Sequence, residues 1–162
     1  MDMKRTSYDG WLEPIDDFKV DIDTLIKEYQ DNFTEDDFED QYFGEVRVQR
    51  RYKLQNPEQT YFNVEKMPYT ANVIKQVKSV FDFSHTHYRI KMPYTSYGWH
   101  TDDTEFCVHI PLITNSGCWF IYDDKQFRMP ANGDVYLVHQ GRFHTFVNSG
   151  DDPRLHLTFM NF

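Results

Sequence analysis

A chain of 162 residues suits one domain and is long enough to bury a core without disulfide staples. It carries 17 Lys and Arg against 26 Asp and Glu, a net charge of −9, which repels phosphate backbones and argues against nucleic acid as a partner. Its 14 Phe, 11 Tyr and 3 Trp exclude disorder, and no apolar run reaches the ~18 residues of a membrane helix.

The first 45 residues hold 4 Lys and Arg against 15 Asp and Glu. This acidic quarter is expected to be solvated surface or a frayed arm. The start, Met1 to Tyr8, has no apolar signal region, and Cys107 and Cys118 are too few for a disulfide framework. Free thiols and no leader predict a cytoplasmic protein without membrane contact.

Residues 20–33 space Val20, Ile22, Leu25, Ile26 and Tyr29 as a helix does, with Asp21 and Asp23 at its start. Residues 34–41 read as a charged loop or short turn. Residues 43–54 alternate Val46 and Val48 with charges, as an edge strand would. Asn56-Pro57 marks a break. A second amphipathic helix is expected over 69–81, with Val73, Ile74, Val77, Val80 and Phe81 on one stripe. Beyond Phe83 no further helix is expected. Short strands are predicted over 86–92, 105–113, 117–122, 134–139, 143–148 and 154–160, separated by Gly-, Asn- and Asp-rich turns. The fold class is therefore mainly β, a jelly roll with N-terminal helices outside it as buttresses. The expected organisation is a single domain over 1–162, with a support region at 1–83 and a catalytic core at 84–162.

All seven histidines but His85 and His87 fall after residue 98. His100-Thr101-Asp102 is a His-x-Asp. On an extended segment its imidazole and carboxylate share a face and can reach one metal ion. A third ligand from another strand completes a two-histidine, one-carboxylate triad, the donor set of non-heme Fe(II) oxygenases. His144 lies 42 residues beyond Asp102, and Arg154 ten residues further, across the turn Asn148 to Pro153. An arginine on a strand beside a metal site suits a dicarboxylate, because its planar fork accepts a carboxylate through two hydrogen bonds.

The pattern His100-x-Asp102…His144…Arg154 resembles the Fe(II)/2-oxoglutarate-dependent dioxygenases. The segment Val108 to Trp119 narrows the resemblance to the aspartyl/asparaginyl β-hydroxylase-like branch, which includes proline hydroxylases. The likeness covers about residues 86–160 and implies a double-stranded β-helix. It also implies that His100, Asp102 and His144 hold iron, that Arg154 binds the distal carboxylate of 2-oxoglutarate, and that His109 contacts the other carboxylate. A partner arginine of that family falls here at Cys107. The implied activity is hydroxylation of a C–H bond in a free or peptidyl amino acid, with O₂ consumed and succinate and CO₂ released. The competing class is a jelly-roll module that binds a metal or ligand without turnover.

The remaining candidates receive plainer expectations. His156 is read as a core histidine facing the barrel interior beside Arg154, His139 as a rejected alternative to His144, and His85 and His87 as without a role. Asp103 is expected in solvent, and Arg89 at the surface or, as the alternative, in contact with substrate or cosubstrate. Tyr94, Tyr97 and Trp119 are candidates for lining a substrate pocket.

Overall fold

The computed structural model describes residue 4, residues 7–52 and residues 65–161. The break expected at Asn56 and Pro57 lies outside the described residues. In chain order the elements are β1 (Leu12–Lys19), α1 (Ile22–Asn32), a 3₁₀ turn (Glu35–Asp37), β2 (Phe38–Phe43), β3 (Val46–Tyr52), α2 (Pro68–Val80) and β4 (His85–Lys91). There follow β5 (Thr95–Ser96), β6 (Phe106–Ile113), β7 (Cys118–Tyr122), β8 (Gln126–Phe127), β9 (Asp134–His139), β10 (His144–Asn148) and β11 (Arg154–Met160). The strands form a seven-stranded antiparallel sheet in the order β1-β9-β6-β11-β4-β3-β2 and a four-stranded sheet in the order β5-β10-β7-β8. Two facing antiparallel sheets with strands shuffled in this way make the expected jelly roll.

Both expected helices are present, and local chemistry explains their ends. The Asp21 carboxylate caps α1 by accepting from the Thr24 backbone N–H and hydroxyl. Pro68 opens α2, where a missing N–H costs nothing. The α2 start is also capped from outside: Glu28 of α1 accepts from the Tyr69 and Thr70 N–H groups at 2.9 and 2.8 Å and from the Thr70 hydroxyl at 2.6 Å. One carboxylate thus ties the helices together. No helix among the described residues is long and apolar enough to cross a membrane.

Strand alternation sorts the core into two layers. Leu155, Leu157 and Phe159 of β11 and Val108, Ile110 and Leu112 of β6 face the helices, meeting Leu25, Val73 and Val77. The opposite faces meet the smaller sheet, where Cys107, Tyr136, Val138 and Met160 pack with Phe120, Tyr122 and Phe146. β11 sits between β6 and β4, so every one of its residues is buried.

The N-terminal half departs from expectation in three ways. The loop or short turn expected over 34–41 is confined to the 3₁₀ turn, and residues 38–43 instead pair with β3 as a strand. That strand takes the sheet edge, and β3 lies inside, between β2 and β4. The Asp40 carboxylate holds the pair, 2.7 Å from Arg50 Nε and 3.3 Å from Arg47. Nor is the acidic quarter a frayed arm. β1 pairs with β9, and Tyr8 is 2% exposed, edge-on to Phe106 in the helix-side core. β1 escaped the sequence reading because Pro14 and a positive-φ Asp17 interrupt its alternation, which an edge strand tolerates.

Candidate metal centre and its cationic cavity

His100 and His144 are brought together by main-chain pairing. Each donates its backbone N–H to the other's carbonyl, at 2.9 and 2.8 Å, in an isolated antiparallel bridge. Two residues on, the Asp102 N–H reaches the Gln140 carbonyl at 3.0 Å. The ring Nδ1 atoms of His100 and His144 each lie 2.7 Å from a backbone carbonyl, of Gly98 and Arg142 respectively. A carbonyl only accepts, so each Nδ1 carries the proton and each Nε2 presents a lone pair. Both Nε2 atoms point at the Asp102 carboxylate, 3.8 and 3.7 Å away. The donor atoms of the three residues lie within 4.8 Å of one another, and no other such trio exists among the described residues.

Packing keeps this donor set in place. The His144 ring stacks on Phe120, 4.8 Å between centroids, and sits 4.5 Å from the His100 ring. Burial holds the His144 imidazole below its ordinary pKa, which keeps it neutral and ligating. Two neutral imidazoles and a carboxylate, with their outer nitrogens already satisfied, fit a divalent first-row ion such as Fe(II).

The trio opens onto a cavity of about 270 Å³ between the sheets, lined also by Arg89, Lys91, Tyr97, His109, Gln140 and Arg154. Arg154 is 2% exposed. Its guanidinium lies 3.9 Å over the Phe146 ring, its Nε has no hydrogen-bond partner, and burial pulls its pKa down to about 9. No carboxylate of the described residues pairs with it. The turn that precedes it is held by Asn148, whose side-chain amide donates to the Met92 and Asp152 carbonyls at 3.1 and 3.0 Å. His109 is buried in the same cavity, its Nδ1 3.0 Å from Nδ1 of His156 and its Nε2 without a partner. Cys107, where the family resemblance expects an arginine, is a buried thiol whose pKa is pushed up by desolvation.

The structure therefore joins His100, Asp102, His144, His109 and Arg154 in one place. His156 is the buried interior histidine that was expected. His139 is outside the trio, its ring 6.1 Å from Tyr8. Asp103 is exposed, as expected. Tyr97 lines the cavity, whereas Tyr94 is 71% exposed and Trp119 stacks under Arg128. One placement departs from expectation. Arg89 is not a surface residue: it lines the cavity and donates from Nε to Nε2 of a fully buried His87, 2.8 Å away. Lys91, which the sequence reading passed over, is buried beside Arg154. The signal was present in His87-Tyr88-Arg89-Ile90-Lys91, whose odd positions share one face of β4.

The protein is thus a double-stranded β-helix with two histidines and a carboxylate grouped at its mouth, a set that could hold a metal ion, and a buried guanidinium within. The profile described as Aspartyl/Asparaginyl beta-hydroxylase matches residues 18–161, and the chain belongs to that family. Among solved structures, it is similar to a Trichoplax adhaerens prolyl hydroxylase in complex with a hypoxia inducible factor peptide fragment, at 12% identity and a TM-score of 0.64, covering 92% of this chain and 82% of that one. A Pseudomonas putida prolyl-4-hydroxylase follows at 12% identity and a TM-score of 0.57, covering 92% and 90%. A viral collagen prolyl hydroxylase of Paramecium Bursaria Chlorella virus-1, in its 2OG complex, gives 14% identity and 0.53, covering 93% and 94%. At such identities the likeness is one of fold. No curated protein matches the chain.

Proposed function

We propose that the protein is a non-heme Fe(II)- and 2-oxoglutarate-dependent dioxygenase that hydroxylates a C–H bond of a free or peptidyl amino acid. It acts as a single domain, with residues 84–162 as the catalytic core. His100, Asp102 and His144 hold the iron, Arg154 binds the distal carboxylate of 2-oxoglutarate, and His109 faces its other carboxylate. The observation that carries this reading is Arg154, a buried cation without a carboxylate among the described residues, in the cavity onto which the candidate metal ligands open. An isolated charge in such a place is costly unless an anion joins it. A plain metal- or sugar-binding jelly roll has no use for it.

When bound, Fe(II), 2-oxoglutarate and O₂ supply the oxidant, with succinate and CO₂ as coproducts. The chain's own residues position and shield. The Gly98 and Arg142 carbonyls fix which nitrogen of each histidine ligates. Asp102 brings the one negative charge of the trio. Phe120 and Phe146 give the cavity an apolar wall, beside which charge interactions are stronger than in open water. Arg89 lines the same cavity from β4.

Anaerobic titration of the Fe(II)-loaded protein with 2-oxoglutarate tests the reading. A weak visible charge-transfer band is expected, followed by succinate release when O₂ and a panel of amino acids and peptides are added. No band and no succinate above the metal-free control would overturn it.

A further inference from the structure

A second cavity, of about 530 Å³, adjoins the metal cavity, and its size is usual for a small-molecule site. Arg89, Asp102 and Gln140 line both, so a molecule held in the second cavity lies against the carboxylate of the candidate metal trio. Several polar groups of its lining are already engaged. The Thr104 hydroxyl donates to the Asn161 carbonyl. The Asn161 carboxamide accepts from the Ser84 N–H and donates to the Asp82 carbonyl, each at 2.8 Å. Gln140 differs. Its backbone is used, the N–H donating to the Glu105 carbonyl at 2.9 Å and the carbonyl accepting from the Asp102 N–H at 3.0 Å. Its side-chain carboxamide has no hydrogen-bond partner among the described residues, although the residue is only 4% exposed. A buried carboxamide left unpaired is costly, and it offers two donors and an acceptor to whatever enters. Charge is graded along the same cavity. Asp103 and Glu105 stand exposed at its mouth, and Arg89 is half-buried at the wall shared with the metal cavity. Phe106 and Met160 supply buried apolar lining.

We propose that this cavity is the substrate pocket, that it selects an amino acid whose α-ammonium is free, and that Gln140 is the side chain that holds that amino acid against the metal centre. This rests on the dioxygenase reading above and narrows its substrate, because a residue inside a peptide has no ammonium. The acids at the mouth attract the ammonium. Glu105 accepts the Tyr8 N–H through Oε1 at 3.2 Å and keeps Oε2 for it. The substrate carboxylate then turns inward, toward the Arg89 charge, where the Gln140 carboxamide donates to it. Acetylation of the amine removes the charge that Asp103 and Glu105 read, and loss of the Gln140 carboxamide removes the inner contact.

The experiment loads the full chain with redox-inert Mn(II) and 2-oxoglutarate and titrates it with the twenty L-amino acids and their Nα-acetyl derivatives. Calorimetry reads affinity, and broadening of the ligand's proton NMR lines by Mn(II) reads closeness to the metal. Expected is at least one amino acid that binds and is broadened, with its Nα-acetyl derivative bound tenfold or more weakly. Gln140→Leu should weaken that amino acid by tenfold or more, and Gln140→Met, which keeps the length of the side chain, guards against a folding defect in the first variant. Asp103→Asn combined with Glu105→Gln should narrow the gap between the amino acid and its acetyl derivative to less than threefold. Mn(II) and 2-oxoglutarate affinity should stay within twofold in every variant, which a general loss of structure would not allow. Equal binding of the free and acetylated forms, full affinity in the Gln140 variants, or no amino acid bound by a protein that does bind 2-oxoglutarate would overturn the pocket and leave the dioxygenase reading intact. Wild-type protein that binds no 2-oxoglutarate would overturn both.

Discussion

Arg154 is the residue on which the dioxygenase reading turns, and its environment sets the size of the effect. The side chain is buried, lies against Phe146 and, among the described residues, leaves Nε without a partner and meets no acid. An exposed ion pair capping the Asp151-Asp152 turn would be worth ~0–1 kcal/mol, and burial excludes that arrangement. Truncating one member of a desolvated charge pair costs about 2–5 kcal/mol. At 1.4 kcal/mol per decade, Arg154→Ala should weaken 2-oxoglutarate binding by roughly 30-fold to a few thousand-fold. Arg154→Lys keeps the charge but loses the fork, and should fall between. The assay is anaerobic titration of 2-oxoglutarate into the Fe(II)-loaded variants, with circular dichroism to confirm folding. Metal affinity should hardly move, because Arg154 is not a ligand. Unchanged 2-oxoglutarate affinity in a folded Arg154→Ala protein would refute the assignment.

Three further outcomes follow from the structure. Metal at a hundred times its dissociation constant should stabilise the wild type by about 2.7 kcal/mol, a rise in Tm of roughly 5–10 °C, and Asp102→Ala should lose most of that shift in an anaerobic melt; a wild-type shift in the variant would remove Asp102 from the ligand set. Desolvation holds buried His109 and His156 well below the ordinary histidine pKa, so they stay neutral in the folded state while the unfolded chain takes up protons below about pH 6.5. The unfolded state then binds more protons, so stability of the metal-free protein is intact above that pH and should fall by about 2–3 kcal/mol between pH 7.5 and 5.5. A flat urea midpoint across that window would show that the pair is protonated when folded. Tyr8→Ala should cost about 3 kcal/mol by emptying a core position against Phe106, where a solvated arm would lose nearly nothing on urea unfolding.

The sequence by itself determined the features governed by neighbours along the chain. The 3.6-residue stripe of α1 and α2, the Asp21 cap, the short apolar runs of β6 and β9 and the polar–apolar alternation of β11 are local patterns, and local sterics and burial enforce them. The same holds for His100 and Asp102, whose shared face follows from a two-residue spacing. Tertiary structure decided what depends on strand partners. β1 and β2 are strands because β9 and β3 offer them hydrogen bonds, despite their acid-rich sequences, and the arrival of β2 moves β3 off the edge. Lys91 reads as one more strand lysine until the β4–β11 register sets it opposite Arg154 and the smaller sheet closes over both. Arg89 is drawn inward by the same register. A side chain's face is written in the local alternation, but whether that face meets water or a second sheet is fixed only when distant strands pair, and burial of a cation has no signature along the chain.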